Sequence, residues 1–209
     1  SAASDVYKRQ MNGSRFERAI KTATATAVAC KMTNNIDCVV SFRTTTSELP
    51  LVYVAYDSRV NGLSHIKKYF PLLYPGGTTP ESLCFEVMMK KIFPKMQMSE
   101  NFYFVNLSDG EPCFNSGGRS GMRSFSYNGN PAYKHCRKII DRMIRELGAS
   151  VISYFISDYD GGRAFEQFKK MYGVANSFNI NTNSVEQIAR TMNKKFLEHT
   201  SHGAVENII

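Results

Sequence analysis

The chain has 209 residues, of which 43% are hydrophobic and 21% are charged. These values are ordinary for one globular domain, and no apolar run approaches the roughly 20 residues that a membrane-spanning helix requires. The formal net charge of +8 permits contact with nucleic acid or with an acidic protein. Many lysines fall in adjacent pairs on predicted helices, however, so a solvated helix face is the simpler explanation of the charge.

The five cysteines are scattered and form no CxxC pair, and no zinc motif is present; they are Cys30, Cys38, Cys84, Cys113 and Cys136. An odd number without metal-binding spacing favours reduced thiols. No signal peptide is visible at the N-terminus. We therefore expect a cytoplasmic protein, with Cys30, Cys84 and Cys136 in the core, because these three fall within amphipathic patterns.

The chain divides into a leader, a domain and a tail. Residues 1–10 match no pattern that follows, and we interpret them as a foreign or disordered leader. The domain is expected over residues 11–198, and residues 199–209 are predicted to fray. If the leader has replaced natural sequence, the first strand of the domain is missing.

Strands and helices alternate along the domain, which predicts a doubly wound, Rossmann-like α/β fold with a mainly parallel sheet, one antiparallel edge strand and helices on both faces. In chain order, the patterns first predict a helix capped by Ser14 and running to about Met32, strands over 36–42 and 51–56 forming a hairpin, and a short helix ending near Tyr69. They next predict a helix from Pro80 to about Phe93 with Thr79 as its N-cap, and a strand over 102–107. The remaining predicted elements are a helix over 133–147 with Gly148 as its C-cap, a strand over 151–156, a helix over 164–171, a strand over 175–180 and a helix over 185–197.

The sequence Asn-Phe-Tyr-Phe-Val-Asn-Leu-Ser-Asp-Gly-Glu-Pro at 101–112 is the most informative stretch. Its apolar run is typical of a buried strand, and Gly110 and Pro112 then force a turn. Asp109 is therefore expected at the carboxyl end of a central strand, where ligands bind in open α/β sheets and where a carboxylate is a candidate ligand for a hard cation. The alternative is that Asp109 only caps the turn.

Two further loops carry candidate functional groups. Gly76-Gly77-Thr78-Thr79 places hydroxyl oxygens or exposed amides at a helix start, although it is equally an ordinary glycine-rich turn with a threonine cap. Residues 113–131 form a long predicted loop, of a kind that is usually functional or mobile. In that loop Arg119, Arg123, Phe125 and Tyr127 are predicted to form a cationic and aromatic rim near Asp109.

The order Gly-Gly-Thr-Thr-Pro-Glu opening a helix, followed by a strand and Ser-Asp-Gly-Glu-Pro, resembles the von Willebrand factor type A (vWA) domain. Within that family it is most similar to the vWA-bearing subunit of aerobic cobaltochelatase and its bacteriophage relatives. The resemblance covers roughly residues 11–198. It implies a metal-ion-dependent adhesion site that holds Mg²⁺ or Mn²⁺, with Thr79, or else Thr78, from the second loop and Asp109 from the third.

The family's first loop, Asp-x-Ser-x-Ser, is absent at the expected place. Counted back from Met11, its three ligands should stand at positions 6, 8 and 10, where this chain has Val6, Lys8 and Gln10. The resemblance therefore predicts an incomplete site that binds Mg²⁺ weakly or not at all.

The resemblance also implies a non-catalytic interaction module in a bacterial or phage-infected cell. Its partner would be a ring-forming AAA+ ATPase of the chelatase or MoxR-like kind, which presents an acidic residue to the metal. Glu111, Arg119 and Arg123 are the candidate rim residues for that contact.

Two other functions remain open from the sequence alone. One is a Mg²⁺-dependent hydrolase or phosphotransferase using Asp109 and Asp158, although no recognisable nucleophile pattern accompanies them. The other is a nucleic-acid-binding domain that uses the basic charge and the aromatic loop.

Overall fold

The computed structural model describes residues 13–32, 36–45, 49–95, 102–116, 124–156, 162–180 and 190. Its elements are, in chain order, α1 (Ser14–Met32), β1 (Val39–Thr45), β2 (Pro50–Asp57), α2 (Leu63–Tyr69), a 3₁₀ turn (Phe70–Leu72), α3 (Glu81–Val87) with a π turn (Met88–Ile92) and a 3₁₀ turn (Phe93–Lys95), β3 (Tyr103–Ser108), β4 (Phe114–Ser116), β5 (Phe125–Tyr127), α4 (Gly129–Leu147), β6 (Ser150–Ile156), α5 (Gly162–Tyr172) and β7 (Ser177–Ile180). Within these ranges, no helix is both long and apolar enough to cross a bilayer.

A parallel three-stranded sheet in the order β3-β6-β7 organises the fold. Strand β6 pairs along its length with β3 and over its second half with β7. Helices α4 and α5 lie on the crossover connections between these strands, as expected when parallel strands are joined. The predicted Rossmann-like α/β class is confirmed, although the sheet is small. Among the described strands β6 is central, so β3, which leads to Asp109, is an edge strand rather than the predicted central one.

The predicted antiparallel hairpin is present as β1 and β2, paired from Val39↔Asp57 to Thr45↔Pro50. It forms a sheet of its own within the described residues. Arg43 connects the hairpin to the parallel sheet, because its Nη1 donates to Asn106 Oδ1 at 2.6 Å and its Nη2 donates to the Leu107 carbonyl at 3.3 Å. The predicted loss of the first strand concerns residues before α1, which lie outside the described residues.

The main core lies between the parallel sheet and helices α3, α4 and α5. The inward face of α4 consists of the predicted residues Cys136, Ile139, Ile140 and Met143, all at most 1% exposed. They pack against apolar residues of the sheet and of α5, including Phe104, Val151, Phe155 and Phe168. Ile144, predicted in the same stripe, is 39% exposed because it lies at the edge of the helical face.

The long loop predicted over 113–131 is partly regular structure. Strands β4 and β5 form a short antiparallel hairpin, and α4 begins at Gly129 rather than Tyr133. The helix therefore starts four residues earlier than predicted, and Pro131 fits there because proline is tolerated in the first turn of a helix, where its missing N–H has no partner to lose. The predicted C-cap at Gly148 is confirmed by its left-handed backbone, with φ of 61°.

The caps predicted for two other helices are wrong. Pro80, rather than Thr79, precedes the first residue of α3, and no side chain caps that end. Ser14 lies within α1, whose first backbone bond runs from Glu17 N–H to the Gly13 carbonyl at 3.1 Å. The predicted last helix over 185–197 lies outside the described residues, except for Arg190, which is helical.

Candidate functional site

Asp109 directly follows β3 at its carboxyl end, as the sequence predicts, and is only 8% exposed. Its Oδ1 is buried and has no hydrogen-bond partner. The turn behind it depends on Gly110, whose φ is 90° and whose N–H donates to Ser108 Oγ at 3.1 Å. A Cβ on Gly110 would lie 2.7 Å from Phe155 Cε2, so glycine is required both by the backbone angle and by the close packing. The packing therefore holds the carboxylate in place while its Oδ1 has no hydrogen-bond partner.

The glycine-rich loop is anchored on β1 and joined to the Asp109 loop. Thr45 Oγ1 accepts the Thr78 N–H at 2.8 Å, and the hydroxyls of Thr45 and Thr78 are 3.3 Å apart. The Thr79 carbonyl accepts the Cys113 N–H at 2.8 Å. The two loops that the sequence singled out therefore meet at the carboxyl edge of β3. Because the Thr78 hydroxyl is engaged with Thr45, Thr79, which is half-buried, remains the candidate for a hydroxyl ligand.

The electrostatic surroundings of Asp109 favour its neutral form. Burial, first, and then the negative charge of Glu81 raise the pKa of Asp109 to about 6. The guanidinium of Arg15 opposes this shift, Glu111 adds to it and Arg43 opposes it more weakly. Asp109 is thus a carboxyl group that gains stability from a proton or from a cation.

The sequence analysis missed a buried ionic cluster beside this site. Glu81 is fully buried; its Oε1 accepts a hydrogen bond from the Tyr172 hydroxyl, and its Oε2 lies 3.6 Å from Arg43 Nη2. Burial raises the pKa of Tyr172 well above its usual range, and Glu81 adds to this shift, so the phenol keeps its proton and donates it. The signal for the cluster was Arg43, the one charged residue in the β1 pattern, since an arginine that is buried in a strand needs a counter-charge.

A second polar cluster connects α3, β5 and α4. Ser82 Oγ contacts the Tyr127 hydroxyl and lies 3.2 Å from His135 Nδ1, while His135 Nε2 lies 3.9 Å from Glu86 Oε2. The order of hydroxyl, imidazole and carboxylate is that of a nucleophilic triad. However, Ser82 is 0% exposed, so a substrate has no access to its hydroxyl. This cluster orients α4 against α3 and provides no reachable nucleophile.

The predicted rim is described only in part. Glu111 is half-buried beside Asp109, and Phe125 is 49% exposed. Tyr127 is 6% exposed and belongs to the second polar cluster, so its assignment to the rim was wrong; its hydroxyl is held inward by Ser82 and lies 3.3 Å from His135 Nδ1. Arg119, Arg123 and Asp158 lie outside the described residues, as does the segment before Gly13 that contains Met11.

The described residues contain part of an oxygen-ligand set for a hard cation. The unpartnered Asp109 Oδ1 fits Mg²⁺, and the half-buried Thr79 can add a hydroxyl. In the same ranges, no group of three or more His, Cys, Asp and Glu residues could hold a metal ion. The positive charge of Arg15, which lowers the pKa of Asp109, opposes the binding of a cation there. The described residues therefore supply candidate oxygens on Asp109 and Thr79 but do not by themselves form a metal site.

Comparison with protein-family models yields no match, and comparison with curated proteins yields none either.

Proposed function

We propose that the chain is a vWA-type protein-interaction module whose metal-ion-dependent adhesion site is incomplete. The observation that carries this proposal is the meeting of two loops at the carboxyl end of β3. There the carboxylate of Asp109 keeps an unpartnered oxygen, and the Thr78-Thr79 loop is tied to the chain after it through Cys113. Binding of a partner's acidic residue through Mg²⁺ explains why a carboxylate is held there at a cost in stability.

Each residue has a separate role in the proposed ion site. Asp109 supplies the negative oxygen, Thr79 supplies a neutral one, and the contact of Thr45 with Thr78 holds the second loop in place. When bound, Mg²⁺ supplies a coordination position that a carboxylate of another protein can fill. The partner proposed from the sequence resemblance is a ring-forming AAA+ ATPase, because this chain carries no Walker A motif of its own.

A restored-site variant tests the ion site directly. The wild-type chain is expected to show no rise in melting temperature with sub-millimolar Mg²⁺. Changing Val6→Asp, Lys8→Ser and Gln10→Ser replaces a positive charge by three oxygen ligands, and this variant is expected to gain a Mg²⁺-dependent rise. Adding Asp109→Ala to that variant should abolish the rise, whereas adding Asp141→Ala on the exposed face of α4 should not. A restored variant that remains indifferent to Mg²⁺ would contradict the ion site.

The partner is tested separately by a pull-down with purified AAA+ ATPases of the chelatase and MoxR-like kinds. The restored variant is expected to retain such a partner in Mg²⁺ and to release it in a chelator. Retention that survives both the chelator and Asp109→Ala would point to a different contact surface. Retention of single-stranded nucleic acid that falls steeply with salt would instead favour the basic-surface alternative.

A further inference from the structure

Four large apolar side chains are exposed around the β1–β2 hairpin. Leu51 and Tyr53 belong to β2, and Leu72 and Tyr74 belong to the segment that joins α2 to α3. Their exposed fractions range from 40% for Leu51 to 83% for Tyr74. We call these four residues the apolar patch. Exposed apolar side chains are ordinary when they are scattered singly, but a contiguous group of them is typical of an interaction surface.

The end of β1 brings Tyr74 beside Leu51. Thr44 lies opposite Leu51, and residues directly opposite each other in an antiparallel pair project from the same face. On that face Thr44 Oγ1 donates to the Gly76 carbonyl at 2.8 Å, and a side-chain carbon added to Gly76 would lie 3.6 Å from Tyr74 Cε2. Leu51 and Tyr74 therefore flank the contact of Thr44 with Gly76.

The same arrangement recurs one step back along the hairpin. Phe42 lies opposite Tyr53, and its ring meets the Phe70 ring edge-on with 5.9 Å between the centroids. Leu72 ends the 3₁₀ turn that begins at Phe70. The segment from Phe70 to Gly76 thus runs along the face of the hairpin that carries Tyr53, and the four exposed side chains lie on one surface.

The apolar patch adjoins the candidate ion site. Thr44 holds the Gly76 carbonyl beside the patch, and Thr45, the next residue of β1, accepts the Thr78 N–H at 2.8 Å. Thr78 directly precedes the candidate ligand Thr79. Consecutive residues of one strand therefore hold the patch and the loop of the ion site next to each other.

The composition of the patch indicates the chemistry of what covers it. Residues 49–56 and 69–79 contain no charged side chain, although the whole chain has a net charge of +8. A nucleic acid would therefore gain no charge contact from these two segments. An acidic protein segment with apolar neighbours fits better, because its carboxylate can reach the ion site while its apolar side chains lie on the patch.

The size of the patch argues against a second copy of the chain as its occupant. The four side chains expose on the order of 400 Å², which is the size of a functional patch but about half of what each partner buries in a stable protein–protein interface. Two copies that met through this patch alone would therefore associate weakly. A partner that contacts both the patch and the ion site gains the additional area.

We propose that the apolar patch binds apolar side chains of the same partner segment whose carboxylate enters the ion site; this inference rests on the function proposed above. The carboxylate makes binding depend on Mg²⁺, and its apolar neighbours pack on the four exposed side chains and supply most of the affinity. Tyrosine suits such a surface, because its ring is apolar and its hydroxyl is solvated when the partner is absent.

The test measures the binding of purified chelatase-type and MoxR-like AAA+ ATPases to the restored-site variant by biolayer interferometry in Mg²⁺. Adding Leu72→Ser with Tyr74→Ser is expected to raise the dissociation constant about tenfold or more, because two buried contacts of the complex are lost. The matched control is Val60→Ser with Val174→Ser, which changes side chains that are 78% and 74% exposed outside the patch and should leave binding unchanged. Both pairs should keep the urea midpoint and the Mg²⁺-dependent rise in melting temperature of the restored-site variant.

The outcomes separate this inference from the proposed function. If a chelator or Asp109→Ala releases the ATPase but the patch variant binds it as tightly as its parent, the inference is overturned and the proposed function stands. If the patch variant loses the ATPase whereas the chelator and Asp109→Ala have no effect, the patch is supported and the ion site is contradicted. Binding of no ATPase by any variant overturns both. A wild-type dimer in sedimentation equilibrium that the patch variant loses would assign the patch to a second copy and would also overturn the inference.

Discussion

The described part of the chain contains two buried carboxylates, Glu81 at the start of α3 and Asp109 at the end of β3. They differ in the groups that surround their charge. Glu81 is fully buried; its Oε1 accepts a hydrogen bond from Tyr172, and its Oε2, which has no hydrogen-bond partner, has the counter-charge of Arg43 at 3.6 Å. Asp109 is nearly as buried, and its Oδ1 likewise has no hydrogen-bond partner. A paired interior charge is typical of structure, whereas an unpaired one costs stability and is typical of a site. The difference is that Glu81 has a counter-ion, and we therefore propose that Glu81 belongs to the scaffold and that Asp109 serves the proposed site.

The two carboxylates are also coupled. Glu81 raises the pKa of Asp109, and Arg43, which pairs with Glu81, is a weaker influence of the opposite sign. The structural pair therefore sets part of the electrostatic background of the functional group. Replacing the surroundings of one carboxylate at a time distinguishes these roles. The replacements follow in order of decreasing expected change in the free energy of unfolding.

Removing Arg43 should have the largest effect. Arg43→Ala leaves Glu81 as a buried charge without its counter-ion and removes the bonds to Asn106 and Leu107 that join the hairpin to β3. We expect a loss of about 3–5 kcal/mol in the free energy of unfolding, measured by urea denaturation. Arg142→Ala, which removes an exposed pair with Glu146, is the control and should change little.

The double replacement Arg43→Met with Glu81→Leu sharpens this test. Because it removes both charges together, it should be less destabilising than Arg43→Ala alone. If the double variant is the less stable of the two, the pair contributes more than mutual neutralisation, and the purely structural assignment of Glu81 is wrong.

Neutralising Asp109 should instead increase the free energy of unfolding. Its folded pKa of about 6 exceeds that of an unfolded aspartate, so the folded state binds the proton more tightly and wild-type stability falls as pH rises from about 4 to about 6. Asp109→Asn removes this dependence and should be more stable than wild type by about 2–3 kcal/mol at pH 7, with the difference vanishing near pH 4. Urea denaturation at a series of pH values measures it.

The matched control for that series is Asp141→Asn on the exposed face of α4, where 43% of the side chain is accessible. It should leave both the stability and its pH dependence nearly unchanged. If Asp109→Asn destabilises the protein at neutral pH, Asp109 is satisfied within the fold and the contrast with Glu81 disappears.

The turn that positions Asp109 provides a third test. Gly110→Ala places a Cβ against Phe155 in addition to straining a positive φ, whereas Gly129→Ala strains a positive φ in open space. The excess destabilisation of Gly110→Ala over Gly129→Ala is expected to be about 1–3 kcal/mol in urea denaturation. Equal effects would mean that the Asp109 loop moves away from Phe155 without cost.

The elements with strong periodicity were predictable from the sequence, and the polar clusters were not. The stripe from Cys136 to Met143 and the turn after β3 each depend on neighbouring residues, so local patterns reveal them. The contact of Arg43 with Glu81 joins residues 38 positions apart, and the hydrogen bond from Tyr172 to Glu81 spans 91. Such pairs follow from tertiary packing, which periodicity does not encode.

The candidate site was likewise predictable only where local sequence patterns mark it. Asp109 and the Thr78-Thr79 loop were found because glycine and proline mark turns at strand and helix ends. The burial of Tyr127 was missed, because a three-residue strand is too short for alternation to show which face points inward. Cys30 was predicted to be a core residue but is only half-buried, because it lies in the last turn of α1.

The smallest expected effect concerns the anchor of the Thr78-Thr79 loop on β1. Thr45→Val keeps the branched shape but removes the acceptor of the Thr78 N–H, so we expect a loss of about 0.5–1.5 kcal/mol. Thr44→Val, which removes only an exposed bond to the Gly76 carbonyl, is the control. If the loop serves Asp109, Thr45→Val should also weaken Mg²⁺ binding in the restored-site variant. If stability falls but Mg²⁺ binding is unchanged, the loop supports Glu81 and the scaffold, and Thr79 is not a ligand.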